Sequence, residues 1–159
     1  MNFDSQINQN NNITLNDCFL YNQKTELYIG DDKLFCSICK QLNEHDYSSK
    51  ILSSPNVLII ILNRWKENKD NIKLDFTETL DLTQFVELKK RPKIIYNLYG
   101  VIPYVEQNTA KAHYIGFCKS PINNKWYKYN DANVNPVEDV QKEIINSIIP
   151  SILFYQKSK

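Results

Sequence analysis

The sequence predicts an α+β fold, a largely antiparallel β sheet with few peripheral helices. Three observations carry this. Val57–Trp65 (VLIIILNRW) and Ile94–Ile102 (IIYNLYGVI) are β-branched and aromatic runs of strand length. Glycine is scarce at three residues and tyrosine abundant at ten, which favours strands over Gly-rich phosphate loops; neither GxGxxG nor GxxxxGK[ST] occurs. Strand-like segments also follow one another with turn residues between them, the pattern of sequential hairpins.

The length of 159 residues suits one domain with a real core. Hydrophobic residues at 42% and charged residues at 23% are ordinary globular usage. A formal net charge of +1 offers no electrostatic reason to expect nucleic acid or an anionic membrane as partner. No apolar run approaches the roughly 18 residues that span a bilayer. Residues 1–12 (MNFDSQINQNNN) lack the basic and apolar regions of a signal peptide and read as a flexible Asn/Gln-rich tail. A cytoplasmic or nuclear setting is expected. There the four cysteines, Cys18, Cys36, Cys39 and Cys118, are thiols or metal ligands rather than a disulfide framework.

From residue 13 the elements read in order. Thr14 is a suitable N-cap, with Asp17 as the short acid of a capping box, and Leu15, Cys18 and Phe19 then follow at helical spacing. Cys18 reads as a small core residue rather than a nucleophile. Gly30-Asp31-Asp32 is a turn. Leu34–Lys40 (LFCSICK) places a CxxC at the head of a short hairpin, a knuckle that sets two thiolates on one zinc ion. A structural zinc takes four ligands, and only His45 lies near to supplement the pair. A redox CxxC would need a helix after it, and the flanks read as hairpin. Residues 40–56 read as loop, and Val57–Trp65 as a strand buried on both faces. A charged hairpin loop over 66–73 leads to a weakly alternating strand at Leu74–Leu80. Asp81 caps one helical turn over 81–85. Lys89–Pro92 reads as a solvated basic bend, Ile94–Ile102 as the second strong strand, and 103–111 as a loop, either a gate or a plain connector. A turn at Asn135-Pro136, a short helix within Glu138–Ile149 and a closing strand at Ser151–Gln156 complete the chain.

Ala112–Asp131 (AHYIGFCKSPINNKWYKYND) reads as two strands joined by a turn near Ser120–Asn124. The first carries His113 and the second ends in Asn130-Asp131. An Asn oxygen that accepts from one imidazole nitrogen fixes the tautomer and leaves the other nitrogen to take a proton from a thiol. Taken alone, His113 fits equally well as a packed histidine in a Tyr-rich sheet.

Several motifs, in order, resemble the C-terminal half of the ubiquitin-specific protease catalytic domain, a papain-like cysteine peptidase family. LYIGDDKLFCSIC is similar to L-x-G-x-N-x-Y-x-C-x-x-C, and PNVLIIILNRW to P-x-V-L-I-x-x-L-K-R-F. Tyr96–Ile102 also matches. AHYIGFCK is similar to G-H-Y-x-A-Y-x-K, WYKYND to W-x-x-F-N/D-D, and SILFYQ to Y-x-L-F-Y. The resemblance covers roughly residues 14–157 and implies that 13–159 is palm plus part of the fingers of such a deubiquitinase. It implies that His113 is the catalytic base, Asn130 its orienter and Asp131 a supporting group. Tyr104 and Tyr114 would border the channel for the ubiquitin tail beside a blocking loop at 103–111, with the basic loop 86–93 near another such loop. Cys36 and Cys39 would be one pair of finger zinc ligands, with the other pair missing. No cofactor is implied for catalysis.

The implied reaction is thiol-dependent hydrolysis of the bond after the ubiquitin C-terminal glycine. Implied partners are ubiquitin or a ubiquitinated protein, and the nucleophile-bearing N-terminal half of the domain. The family's Cys box, G-L-x-N-x-G-N-T-C-Y, has no counterpart in this sequence, so the chain is expected to be inactive alone. Ala112 also stands where glycine usually precedes the histidine, and Pro103-Tyr104 where a histidine often precedes the loop. The alternative is a catalytically inactive ubiquitin-binding or scaffolding module.

Overall fold

A computed structural model describes residues 13–63, 73–87, 92–104 and 114–158. The chain enters through β1 (Ile13–Thr14) and the helix α1 (Leu15–Asn22). The predicted capping box closes both ways: the Asp17 N–H donates to Thr14 Oγ1 (3.2 Å), and Asp17 Oδ2 accepts from the Thr14 N–H (2.9 Å). Leu15, Cys18 and Phe19 turn inward, as their spacing requires.

Two small ribbons follow. β2 (Glu26–Tyr28) pairs antiparallel with β5 (His45–Tyr47), and β3 (Leu34–Cys36) with β4 (Gln41–Asn43). Gly30, in the left-handed region at φ +61°, opens the single 3-10 turn Gly30–Asp32 that joins β2 to β3. The loop expected over residues 40–56 contains two of these strands. Their polar alternation has no buried face to reveal it: no residue from Lys24 to Lys50 is fully buried.

The remaining strands are β6 (Val57–Ile61), β7 (Leu74–Asp75), β8 (Thr79–Asp81), β9 (Ile95–Pro103), β10 (Gly116–Lys119), β11 (Trp126–Asn130), β12 (Asn133–Pro136) and β13 (Pro150–Lys157). All but β7, which pairs in parallel with β1, form one antiparallel sheet whose main path runs β12-β11-β10-β9-β13-β6. β8 pairs with Ile95–Asn97 of β9, and β10 with Gly100 and Val101. Gly100 leaves room for Phe154 on β13, since a Cβ there would sit 3.2 Å from Phe154 Cδ2. The α+β expectation thus holds, with sheet dominant and helix confined to the margins.

The sheet's inner face carries the core. Leu153 lies level with Ile60 on one neighbour and Val101 on the other, and Val101 lies level with Phe117. All four are buried, and Leu98, Tyr96, Tyr155 and Trp126 extend the layer. α1, the turn around Leu82–Val86 and Ile144 and Ile148 contribute to the same cluster. Two buried tyrosines also find acceptors: Tyr96 donates to the Pro55 carbonyl (2.6 Å) and Tyr155 to that of Thr77 (2.7 Å).

Further expectations are corrected. The run at 57–65 is not a strand buried on both faces: β6 ends at Ile61, and Ile59 and Ile61 on its outer side are 53% and 60% exposed. The expected turn at Asn135-Pro136 is strand, paired through Tyr127 to Pro136 and Lys128 to Asn135. The Leu74–Leu80 strand divides into β7 and β8. The helix expected within 138–149 shortens to a π-helical segment, Gln141–Ile145, in which the Asn146 N–H reaches the Gln141 carbonyl at 2.9 Å. The loop at 66–72 and the basic bend at 89–91 lie outside the described residues.

Candidate functional site

The β10–β11 hairpin forms where the sequence placed it. Its turn closes through Asn124 N–H to the Ser120 carbonyl (2.9 Å) and Ser120 N–H to the Lys125 carbonyl (2.8 Å). Asn124 takes the left-handed conformation at φ +57°, which asparagine tolerates better than most residues. The register runs from Lys119 opposite Trp126 to Gly116 opposite Tyr129. The chain therefore enters β10 at the end of the sheet where it leaves β11 through Asn130.

Asn130 is half-buried, and its backbone is held level with Asn133 of β12. Asp131 occupies the exposed turn between them at φ +50°. Tyr114, 70% exposed, stands just before β10 at the same end. Because Val101 of β9 lies opposite Phe117, β9 also runs out toward this end, and half-buried Tyr104 follows it there, its N–H on the Ile149 carbonyl (2.7 Å). Three strand ends thus bring Tyr104, Tyr114, Asn130 and Asp131 to one margin of the sheet. His113 and residues 105–111 of the loop lie outside the described residues, so the expected His113–Asn130 pairing does too.

The thiols are placed elsewhere, and none forms a disulfide. Cys18 is buried in α1. Cys118 lies opposite Tyr127, and alternation sets it on the sheet face away from Asn130. Cys118 is exposed at the sheet surface, and the partial desolvation of its thiol pushes it up, against the thiolate a nucleophile needs.

Cys36 and Cys39 form the predicted knuckle. β3 ends in Cys36, level with Gln41, and Lys40 turns the chain at φ +59° with its N–H on the Cys36 carbonyl (2.9 Å). The backbone N–H groups of Cys39 and then Ile38, together with the Cys39 thiol, hold the Cys36 thiol below the usual range for cysteine. The Asn43 side-chain N–H points at Cys39 Sγ (2.8 Å). Sequence reasoning missed Asn43, although an Asn four residues beyond the second Cys of so tight a hairpin is the available signal. His45 lies on the other ribbon, and among the described residues no group of three or more His, Cys, Asp or Glu side chains is arranged to hold a metal. The knuckle offers two of the four ligands of a closed zinc site.

A family model described as Ubiquitin carboxyl-terminal hydrolase matches residues 4–155. Ubiquitin carboxyl-terminal hydrolase 16 of Arabidopsis thaliana is 34% identical over 149 residues, covering 91% of this chain and 14% of that protein. Ubiquitin carboxyl-terminal hydrolase 2 of Gallus gallus is 30% identical over 150 residues, covering 91% and 41%. The chain thus spans less than half the length of these relatives. Among solved structures, the SAGA Ubp8/Sgf11/Sus1/Sgf73 DUB module bound to ubiquitin aldehyde superposes with a TM-score of 0.73 at 24% identity, covering 92% of this chain and 34% of that one. A second structure of a SAGA DUB module, bound to monoubiquitin, gives a TM-score of 0.73 at 25% identity, covering 92% and 33%.

Proposed function

The chain belongs to the ubiquitin carboxyl-terminal hydrolase family, and from that premise we propose that it carries the base and orienting half of a thiol-dependent deubiquitinase site. His113 is the base, Asn130 its orienter and Asp131 a supporting acid at the same turn. Tyr104 and Tyr114 border the path of the ubiquitin tail. The observation that supports this best is the convergence of three strand ends that sets Tyr104, Tyr114 and Asn130 on one margin, with Tyr114 following His113 directly in sequence.

In this chemistry His113 takes the proton of a cysteine thiol while the Asn130 side-chain oxygen holds its other N–H. The thiolate adds to the glycine carbonyl carbon, the C–N bond breaks, and the imidazolium returns the proton to the departing amine. Water, deprotonated by the same imidazole, then cleaves the thioester and regenerates the thiol. No metal takes part.

The thiol has to come from outside this chain's four cysteines, given the burial of Cys18, the ribbon position of Cys36 and Cys39, and the opposite face of Cys118. That distribution also favours a second reading, a ubiquitin-binding module with no turnover. An electrophilic ubiquitin probe and a fluorogenic ubiquitin substrate test the first point: the chain alone is expected to give neither adduct nor hydrolysis. A covalent adduct at any of the four cysteines would contradict it. Ubiquitin titrated with the chain should show shifts in its C-terminal tail resonances, and these should weaken in Asn130→Ala if the margin is the contact. Tail shifts indifferent to Asn130 would favour the binding module.

A further inference from the structure

At the end of the sheet opposite the Asn130 margin, a groove of about 770 Å³ opens on the face away from the core. Strand pairing makes it. One edge of β9 passes from β10, whose pairing stops at Gly100, to β8, whose pairing starts at Asn97. Between them the register of β13 against β9 shifts, from Phe154 opposite Gly100 to Tyr155 opposite Leu98. Tyr99 is therefore the extra residue of a bulge, a device that re-aims a side chain. Its ring comes to the outer face, with its centroid 6.1 Å from that of Phe154, and lines the groove. The β10–β11 turn supplies one wall and the end of β13 the other.

The lining carries one sign of charge. Lys119 from the turn and Lys157 from β13 are both half-buried, and no Asp or Glu lines the groove. Among the described residues neither lysine is ion-paired; Lys157 Nζ rests on the neutral Ser54 Oγ at 2.7 Å. Two partly desolvated ammonium groups on one cavity, with no counter-charge, favour the entry of an anion. Val57 and Pro121 add apolar surface beside Tyr99. The side-chain amides of Asn124 and Gln156 each offer a donor and an acceptor, the complement of an extended peptide backbone.

We propose that this groove docks an extended acidic peptide segment of a partner protein. Its carboxylates meet Lys119 and Lys157, and an apolar side chain between them packs on Tyr99, Val57 and Pro121. A nucleic acid strand fits less well, because two lysines and a net charge of +1 give no track for successive phosphates. The groove lies at the opposite end of β10 and β11 from Tyr114 and Asn130, so a docked segment leaves that margin free. The proposal stands independently of the deubiquitinase reading.

The test uses the full chain and the fluorescence anisotropy of a labelled, amidated peptide, EDLEDE, with QNLQNQ as its uncharged control. Saturable binding of the acidic peptide alone is expected, weakening as salt is added. Lys119→Met and Lys157→Met should each weaken it about threefold, while Lys157→Arg should largely keep it. Cys118, exposed on the groove wall, gives a readout in the unsubstituted chain. Bound peptide should slow its alkylation by N-ethylmaleimide, located by peptide mapping, and leave that of the exposed Cys39 unchanged. Equal binding of the two peptides, an affinity unmoved by both lysine substitutions, Cys118 alkylation indifferent to the peptide, or equal binding of a short oligothymidylate would each overturn the proposal. No ubiquitin enters these measurements, so their failure and failure of the deubiquitinase reading are separable.

Discussion

Thr14 and Asp17 show how a two-residue signal survives translation into structure. The pair lies three positions apart, needs no tertiary partner, and closes as a capping box as its spacing predicts. The Thr14 hydroxyl first, and then its backbone N–H, hold the Asp17 carboxyl below the ordinary carboxylate range. Asp81 is lowered the same way by the side chain and then the backbone of Thr83. The folded value is below the unfolded one in both. Their contribution is therefore complete above the ordinary carboxylate range and is lost as pH falls through the lowered folded values. Thr14→Ala should cost about 1 kcal/mol at neutral pH and flatten the acid limb of stability, read by urea unfolding at stepped pH. An acid limb identical to that of the unsubstituted chain would show that Asp17 draws nothing from Thr14. The tyrosine hydroxyls were not legible in this way. Tyr155 meets Thr77 across 78 residues and Tyr96 meets Pro55 across 41, and no local pattern announces an acceptor so distant.

Among the elements, β6 shows where a hydrophobic run misleads. Six apolar residues in succession, Val57–Leu62, read as a strand covered on both sides, but β6 ends the sheet and only its inner residues meet the core. Composition reports that a face is apolar, not that anything lies on it. Ile59→Lys with Ile61→Lys should therefore leave the melting temperature nearly unchanged, within the roughly 0.5 kcal/mol typical of surface positions, while reducing self-association at high concentration. Scanning fluorimetry and light scattering give the two readings; a fall in melting temperature of core-truncation size would show that these side chains are covered. β12 is the converse case. Asn135-Pro136 signals a turn, yet Pro136 is accommodated at the end of an edge strand, where a missing N–H costs the ladder little. The β10–β11 hairpin was legible because its turn residues and strand lengths are local. The loop before it, with His113, lies outside the described residues.

For the molecule as a whole, the parts were readable and their arrangement was not. Strand-like runs and the CxxC hairpin follow from local pattern, and the motif order carried the family likeness. Nothing local says that β13 slips between β6 and β9 rather than adding beside β12, because that choice rests on which faces share one core. Leu153 stands at the centre of that choice, fully buried between Ile60 and Val101. Leu153→Ala should cost about 2–5 kcal/mol and move the urea midpoint accordingly; a loss well under 1 kcal/mol would mean that the layer is looser than its burial indicates. The position of β13 also sets a timetable. As the polypeptide leaves the ribosome, β6 and β9 emerge with no bond between them, and the strand that joins them is synthesised last of the three. Until it arrives, the nascent sheet has two unmatched edges and an uncovered middle, so attendance by chaperones during translation matters more here than in a fold built from neighbours in order.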